Sequence, residues 1–164
     1  MARMQRTNPW IDTFSRCVGE LQYTDRWTLN FNYKLDANLT PLQREGGWKV
    51  YTTSSFGRFE CPCSNSWSSA HVVVLFHYRL KRHKGTVLLR PFQQRCRDCW
   101  NSFERKPIIN QTQMQKVLDR LILKICKNCY MEEVPELERN LQYRKTKPHE
   151  TSLCEACEWG LCRI

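Results

Sequence analysis

Apolar residues along this chain fall first on a helical period, then on period two, then on a helical period again. Trp10, Phe14, Cys17, Val18 and Leu21 share one helical stripe, with Asn8 as N-cap and Pro9 as the first helical residue. Cys17 sits on that stripe and reads as a small buried hydrophobe. Residues Trp27 to Tyr33 alternate as a strand, and Trp48 to Thr53 form another, opened by Gly46 and Gly47. His71 to Leu80 predicts a longer strand, with Val72, Val74, Phe76, Tyr78 and Leu80 on one face. Its other face holds His71, Val73, Leu75, His77 and Arg79. Lys81 to Gly85 then predicts a hairpin tip turning on Gly85, and Thr86 to Phe92 its partner strand, ended by Pro91. Met114, Val117, Leu118, Leu121, Ile122 and Ile125 predict an amphipathic helix from Gln111 to Cys126, packed on the sheet. The expected class is α+β: an antiparallel sheet with an N-terminal helix and a second helix covering it.

The cysteines change this picture most. There are ten in 164 residues, spaced Cys61-x-Cys63, Cys96-x-x-Cys99, Cys126-x-x-Cys129 and Cys154-x-x-Cys157, then Cys162. A C-x-x-C turn lets two thiolates converge on one metal ion, and a second pair completes a tetrahedral Zn²⁺ site. Disulfides compete poorly. The start Met1 to Arg6 has no apolar segment of a secretory signal, and residues two or three apart make strained partners. Reduced thiols in such a chain find a metal instead. Two zinc ions, each with four protein ligands and so structural, are the expectation.

The predicted hairpin has one thiol pair before it and one after it, which brings both to the same end, as in a zinc ribbon. Site one is therefore Cys61, Cys63, Cys96 and Cys99. The tight Cys61-Pro62-Cys63 spacing demands a bulge or a looser turn; failing that, one of the two gives way to another ligand. Site two admits two arrangements. Cys126 and Cys129 join Cys154 and Cys157 in the preferred one; in the other, His149, Cys154, Cys157 and Cys162 bind zinc by themselves. The chain thus divides into a zinc-binding core over 1–131, a polar linker over 132–148 and a C-terminal cysteine cluster over 149–164 that completes the domain.

Charge adds less. A formal +10 suggests a nucleic-acid or acidic-lipid partner, but two four-thiolate zinc centres at −2 each lower it to +6. Part of the Lys and Arg excess then offsets thiolate charge. Candidate nucleic-acid contacts are Arg79, Lys81, Arg82 and Lys84 at the tip, Arg95 and Arg97, and Arg144, Lys145 and Lys147. Each run also reads as a solvated face, and only Tyr78 and Tyr143 interleave with them. The longest apolar stretch, Val72 to Phe76, is far short of the ~20 residues that span a bilayer, so no transmembrane segment is expected. No H-x-E deaminase pattern, G-x-S-x-G, H-E-x-x-H or phosphate-binding loop occurs. A thioredoxin-type pair lacks its βαβ frame. The expectation is a protein that is not an enzyme and has no small-molecule substrate.

Several segments resemble the receptor-transporting proteins, which share a three-CxxC zinc-finger domain with the zygote arrest proteins. The resemblance runs from Trp10 to Phe14 through Asp25-Arg26-Trp27-Thr28-Leu29, Gly47-Trp48 and Gly57-Arg58-Phe59-Glu60-Cys61. It continues through Cys63 to Ala70, Gly85-Thr86-Val87, Phe92 to Cys99 and Cys129-Tyr130, and closes with Cys154 to Cys162. The resemblance implies a zinc-ribbon-like accessory protein that promotes membrane targeting and surface expression of G-protein-coupled receptors, notably odorant or taste receptors. It would act in the cytoplasm, at the cytosolic face of the endoplasmic reticulum or plasma membrane. The wider family also implies an alternative, zinc-dependent RNA binding in antiviral defence. Two departures stand out: members typically show C-x-x-C at Cys61-Pro62-Cys63, and many carry a C-terminal transmembrane helix that this sequence, up to Ile164, does not hold.

Overall fold

The computed structural model describes residues 8–99, 104–135 and 149–162. In chain order these form α1 (Pro9–Gly19), β1 (Arg26–Phe31), α2 (Pro41–Glu45), β2 (Lys49–Glu60), β3 (Ser66–Lys81) and β4 (Lys84–Pro91). Then follow β5 (Gln94–Arg95), β6 (Glu104–Arg105), α3 (Gln111–Cys129), a 3-10 turn (Thr151–Leu153) and α4 (Glu155–Glu158). Side-chain caps fix the helix starts. Asn8 accepts from the Trp10 N–H at 2.9 Å, and Asn110 accepts from the Gln113 N–H at 2.9 Å. The short α2 opens on a reciprocal capping box between Thr40 and Gln43, which the periodicity did not predict.

The main sheet has the order β1-β4-β3-β2. β2, β3 and β4 form an antiparallel meander, but β1 joins β4 in parallel, Arg26 opposite Lys84 and Phe31 opposite Leu89. The expected antiparallel sheet is present, with one parallel strand added at that edge. β1 adds to the meander at its β4 edge and leaves β2 as the other edge of the sheet. β2 is twice as long as its alternation suggested, because a bulge between Ser55 and Gly57 carries the strand past an irregular stretch.

β3 is the spine. Every residue from Val72 to Tyr78 is buried, so both faces of the sheet are covered. Val72, Val74, Phe76 and Tyr78 pack with Trp10, Phe14 and Cys17 of α1 and with Met114, Val117, Leu118, Leu121 and Ile125 of α3. On the opposite face Val73 and Leu75 pack with Leu35, Phe92, Cys154 and Ala156. Helices therefore form one outer layer, and the segment around 149–162 lies in the other. Residues 136–148, the bulk of the expected polar linker, lie outside the described residues, as do Tyr143, Arg144, Lys145 and Lys147.

The hairpin tip is corrected in one detail. Arg82 and His83 make the reversal, at φ 51° and 64°, and Lys81 pairs with Lys84. This double left-handed geometry is the mirror turn that suits the twist of paired strands. Gly85 does not turn; it lies inside β4, in register with Trp27 of the parallel neighbour. A Cβ there would sit 2.0 Å from the Trp27 ring, so only glycine admits the indole.

Trp27 in turn donates from Nε1 to the Tyr130 hydroxyl at 3.0 Å, and that hydroxyl donates to Asp25 at 2.6 Å. The other Asp25 oxygen faces His83 Nδ1 at 3.1 Å, and Tyr23 stacks on Tyr130 with ring centroids 3.5 Å apart. Burial and the Asp25 carboxylate push the Tyr130 phenol up to about 12, so it stays a donor at neutral pH. The network joins β1, the hairpin tip and the end of α3. Among the described residues no helix is long and apolar enough to cross a membrane.

Replacing Gly85 with Ala forces Trp27 out of its seat. The expected loss is about 1–3 kcal/mol of stability, seen as a melting midpoint lower by several degrees. An unchanged midpoint would show that the indole does not pack there.

Candidate metal centres

Cys61 and Cys63 sit where β2 runs into β3. The Cys61 carbonyl accepts from the Ser64 N–H at 3.0 Å, and the Cys61 N–H donates to the Asn65 carbonyl at 2.9 Å. Ser64, at φ 72°, supplies the left-handed residue that reverses the chain. This is the looser turn that the C-x-C spacing demands. Cys96 and Cys99 follow β5 directly. The four sulfurs gather at one end of the sheet: Cys61 to Cys99 and Cys63 to Cys96 are each 3.6 Å apart, and all four lie within 4.8 Å of one another.

Those separations test the metal. Sulfurs bound tetrahedrally at about 2.3 Å from Zn²⁺ are about 3.8 Å from each other. A disulfide would need about 2.05 Å, and the ten cysteines form none. Backbone N–H groups of Cys63 and Asn65 donate to the Cys61 and Cys63 sulfurs, as expected of thiolates. Burial raises the Cys96 thiol, but Asn65 and the N–H groups of Asp98 and Cys99 outweigh it and bring it down to about 6. The Cys63 and Cys61 sulfurs push Cys99 up to about 12. Four thiols this close share negative charge that a divalent cation relieves.

The second cluster is His149, Cys154, Cys157 and Cys162, again within 4.8 Å of one another. His149 Nε2 lies 3.3 Å from the Cys157 sulfur and 3.5 Å from that of Cys162. Nitrogen and sulfur on one tetrahedral Zn²⁺ are about 3.6 Å apart. Burial, then the neighbouring His71, lowers the His149 pKa, which favours the neutral imidazole that ligates metal. Burial also raises Cys154, whose sulfur accepts from the Cys157 and Ala156 N–H groups, and burial together with Cys157 and Cys154 pushes Cys162 up to about 12.

The preferred pairing of Cys126 and Cys129 with Cys154 and Cys157 is therefore corrected. Cys126 and Cys129 ride the last turn of α3, whose apolar stripe packs on one face of the sheet. Cys154 and Cys157 belong to the opposite face. The sheet itself separates the two pairs. Burial and the nearby Glu132 push Cys126 up to about 11, the state of a protonated core thiol. Cys17 likewise packs in the helical layer, accepting from Gln115 at 3.2 Å. One four-thiolate centre at −2 and one three-thiolate, one-imidazole centre at −1 reduce the formal +10 to +7.

A second group of residues, unmarked by any motif, fastens the C-terminal centre to the sheet. Arg90 is buried between the rings of Phe92 and Trp159, 4.3 and 4.5 Å from their centroids. It donates to the Leu35 carbonyl at 2.7 Å and to the buried Glu155 carboxylate. Gln94 bonds the Ser69 hydroxyl and the Trp67 indole through its side chain, and its backbone bridges to Cys154. Of the proposed basic contacts, Arg95 faces Glu158 at 3.6 Å and Arg97 faces Glu150 at 3.1 Å, both near the metal sites. Arg79 lies over the Trp48 ring at 4.4 Å, towards the other end of the sheet with Lys81, Arg82 and Lys84.

Two closed, thiolate-rich centres with no open coordination position, carried on an antiparallel-rich α+β fold, define a structural zinc-binding domain of the zinc-ribbon kind. A family model described as a zinc-binding domain, of the three-CxxC zinc-ribbon type, matches residues 54–160. The chain is 35% identical to receptor-transporting protein 3 of Mus musculus over 95% of its own length and 33% of that protein's. It is 34% identical to human receptor-transporting protein 4 over 93% of this chain and 63% of that one. For receptor-transporting protein 2 of Mus musculus the identity is 30%, over 98% and 73%. The chain belongs to the receptor-transporting protein family. It spans a third to three quarters of the length of these relatives. No solved structure matches it.

Elemental analysis of the purified chain is expected to give two zinc ions. Cys96→Ser and, separately, His149→Ala should each remove one, while Cys126→Ser with Cys129→Ser should leave both; zinc loss in that double variant would restore the other pairing. Arg90→Ala strands the Glu155 carboxylate in the interior. It should cost about 3–5 kcal/mol in denaturant unfolding, and a wild-type midpoint would show that the pair does not anchor the C-terminal segment.

Proposed function

We propose that this chain is an accessory protein for receptor transport, which promotes the membrane targeting and surface expression of G-protein-coupled receptors, odorant or taste receptors among them. The observation that carries this reading is similarity over 93–98% of the chain to three proteins whose names all describe receptor transport. It acts by protein–protein contact rather than catalysis: a zinc with four protein ligands offers neither an open Lewis-acid position nor a bound water. Its place in this reading is the cytosolic side of the endoplasmic reticulum or plasma membrane.

The alternative of zinc-dependent RNA binding has weaker support. Its candidate contacts divide between two ends of the sheet. Arg95 and Arg97 face carboxylates beside the metal centres, and Arg79, Lys81, Arg82 and Lys84 lie towards the far end. No continuous track along a nucleic-acid backbone follows from that division.

Co-expression with an odorant or taste receptor is expected to raise receptor staining on unpermeabilised cells. Cys96→Ser should abolish the gain by unfolding the first centre. Equal surface staining with and without the wild-type chain would refute the reading.

A further inference from the structure

We propose that the β3–β4 tip is a docking surface for a bilayer that carries anionic lipids. Lys81, Arg82, His83 and Lys84 are successive exposed positions at the end of a 16-residue strand, and Arg26 stands opposite Lys84. Among the described residues no carboxylate forms an ion pair with Arg26, Lys81, Arg82 or Lys84. The adjacent Asp25 is engaged by Tyr130 and His83, and its side chain is 12% exposed. These cations therefore lack direct ion pairs of the kind Glu150 and Glu158 make at the metal end.

The shape of the turn points the same way. Arg82 and His83 both hold left-handed backbone, which side chains other than Gly, Asn and Asp rarely adopt. His83 is held by Asp25, and Asp25 by Tyr130, so a stiff turn presents its cations outward. The next residue after Tyr130 is Met131, 83% exposed at φ 55°, which puts a bare apolar side chain at the same end. Basic groups that meet headgroups, beside an apolar group that enters the acyl boundary, are the pattern of interfacial membrane binding. Of the acidic residues that follow, Glu132 faces Tyr23 and Cys126, and Glu133 is exposed.

A single-stranded nucleic acid fits this end less well, because it needs open aromatic faces on which bases stack. Here the rings are already engaged: the half-exposed Tyr23 lays one face on Tyr130, Trp48 lies beneath Arg79, and Trp27 packs against Gly85. The tip also lies at the end of the sheet away from both thiolate centres, so its role is separate from metal binding. The proposal extends the receptor-transport reading and does not depend on it.

The test is co-sedimentation of the zinc-loaded chain with phosphatidylcholine vesicles, with and without phosphatidylserine. Binding is expected only with phosphatidylserine, and it should weaken as salt rises. Replacing Lys81, Arg82 and Lys84 together by Ala should weaken it by about 5-fold per cation, on the order of 100-fold in all. Lys81→Arg with Lys84→Arg keeps the charge and should keep the binding, with zinc content and melting midpoint of both variants unchanged. Equal binding to neutral vesicles, full binding by the triple Ala variant, or displacement of the wild type from vesicles by single-stranded RNA would each overturn the proposal. No receptor is present in this measurement, so failure of the receptor-transport reading is a separate result.

Discussion

A central strand buried on both faces is the constraint from which the rest of the structure follows. The seven residues from Val72 to Tyr78 admit no water on either side, so the chain must supply two covers. On one face this is straightforward. α1 and α3 bring a broad apolar stripe that includes Phe14, Val117, Leu118, Leu121 and Ile125. The other face has far less to work with: Leu35 from a loop, Phe92 from the end of the hairpin, and a short C-terminal stretch holding Ala156 and Leu161. A four-residue helix such as α4 is below the length at which a helix holds itself. The His149, Cys154, Cys157 and Cys162 centre answers that deficit. Metal coordination closes this stretch into a small rigid cover that hydrophobic burial alone would leave frayed.

The two centres are not independent. The segment that carries Cys96 is the one on which the C-terminal cover rests. Gln94 bridges to Cys154, the Gln93 carbonyl accepts from the Glu155 N–H at 3.1 Å, and Arg95 and Arg97 reach Glu158 and Glu150. The first centre therefore sets the position of residues 93–97, and the second centre docks against them. Coupling has a direction here. Loss of metal at the first site loosens the segment against which the second centre docks, although the four ligands of that centre still hold their own ion, whereas loss at the second leaves the hairpin and its own thiol turn intact.

Much of this was legible in the sequence. The period of 3.6 identified α1 and α3, and Asn8 was legible as the cap of α1, whereas the Asn110 cap of α3 is a finding of the structure. Period two identified the β3–β4 hairpin, and topology alone then brought Cys61, Cys63, Cys96 and Cys99 to the same end. What spacing does not encode is the face of a sheet. Cys126-x-x-Cys129 and Cys154-x-x-Cys157 are equivalent as strings, and only the docking of α3 on one side and of the tail on the other tells them apart. Gly85 failed for a related reason. A glycine in a turn-rich stretch reads as the turn, but here Trp27, 58 positions upstream, reserves it for close packing, and Arg82 and His83 take the left-handed positions instead. Arg90 carried no signal at all, since nothing local marks an arginine destined for burial between two rings.

The same long-range packing explains why scattered short segments mark this family. Asp25, Trp27, Gly85 and Tyr130 lie in separate stretches of the chain, yet they form one hydrogen-bonded and stacked unit at the end of the sheet away from the zinc. Each has a requirement the others impose: glycine for the indole, indole N–H for the phenol, phenol for the carboxylate, and carboxylate for His83 in the turn. The two ends of the sheet are thereby fixed by different physics. Metal–sulfur bonds hold one, with its cations balanced by Glu150 and Glu158. A hydrogen-bonded relay of indole, phenol and carboxylate holds the other. The cations of Lys81, Arg82 and Lys84 stand outside that arrangement, since the Asp25 oxygens are directed at Tyr130 and His83 and pair with none of the three.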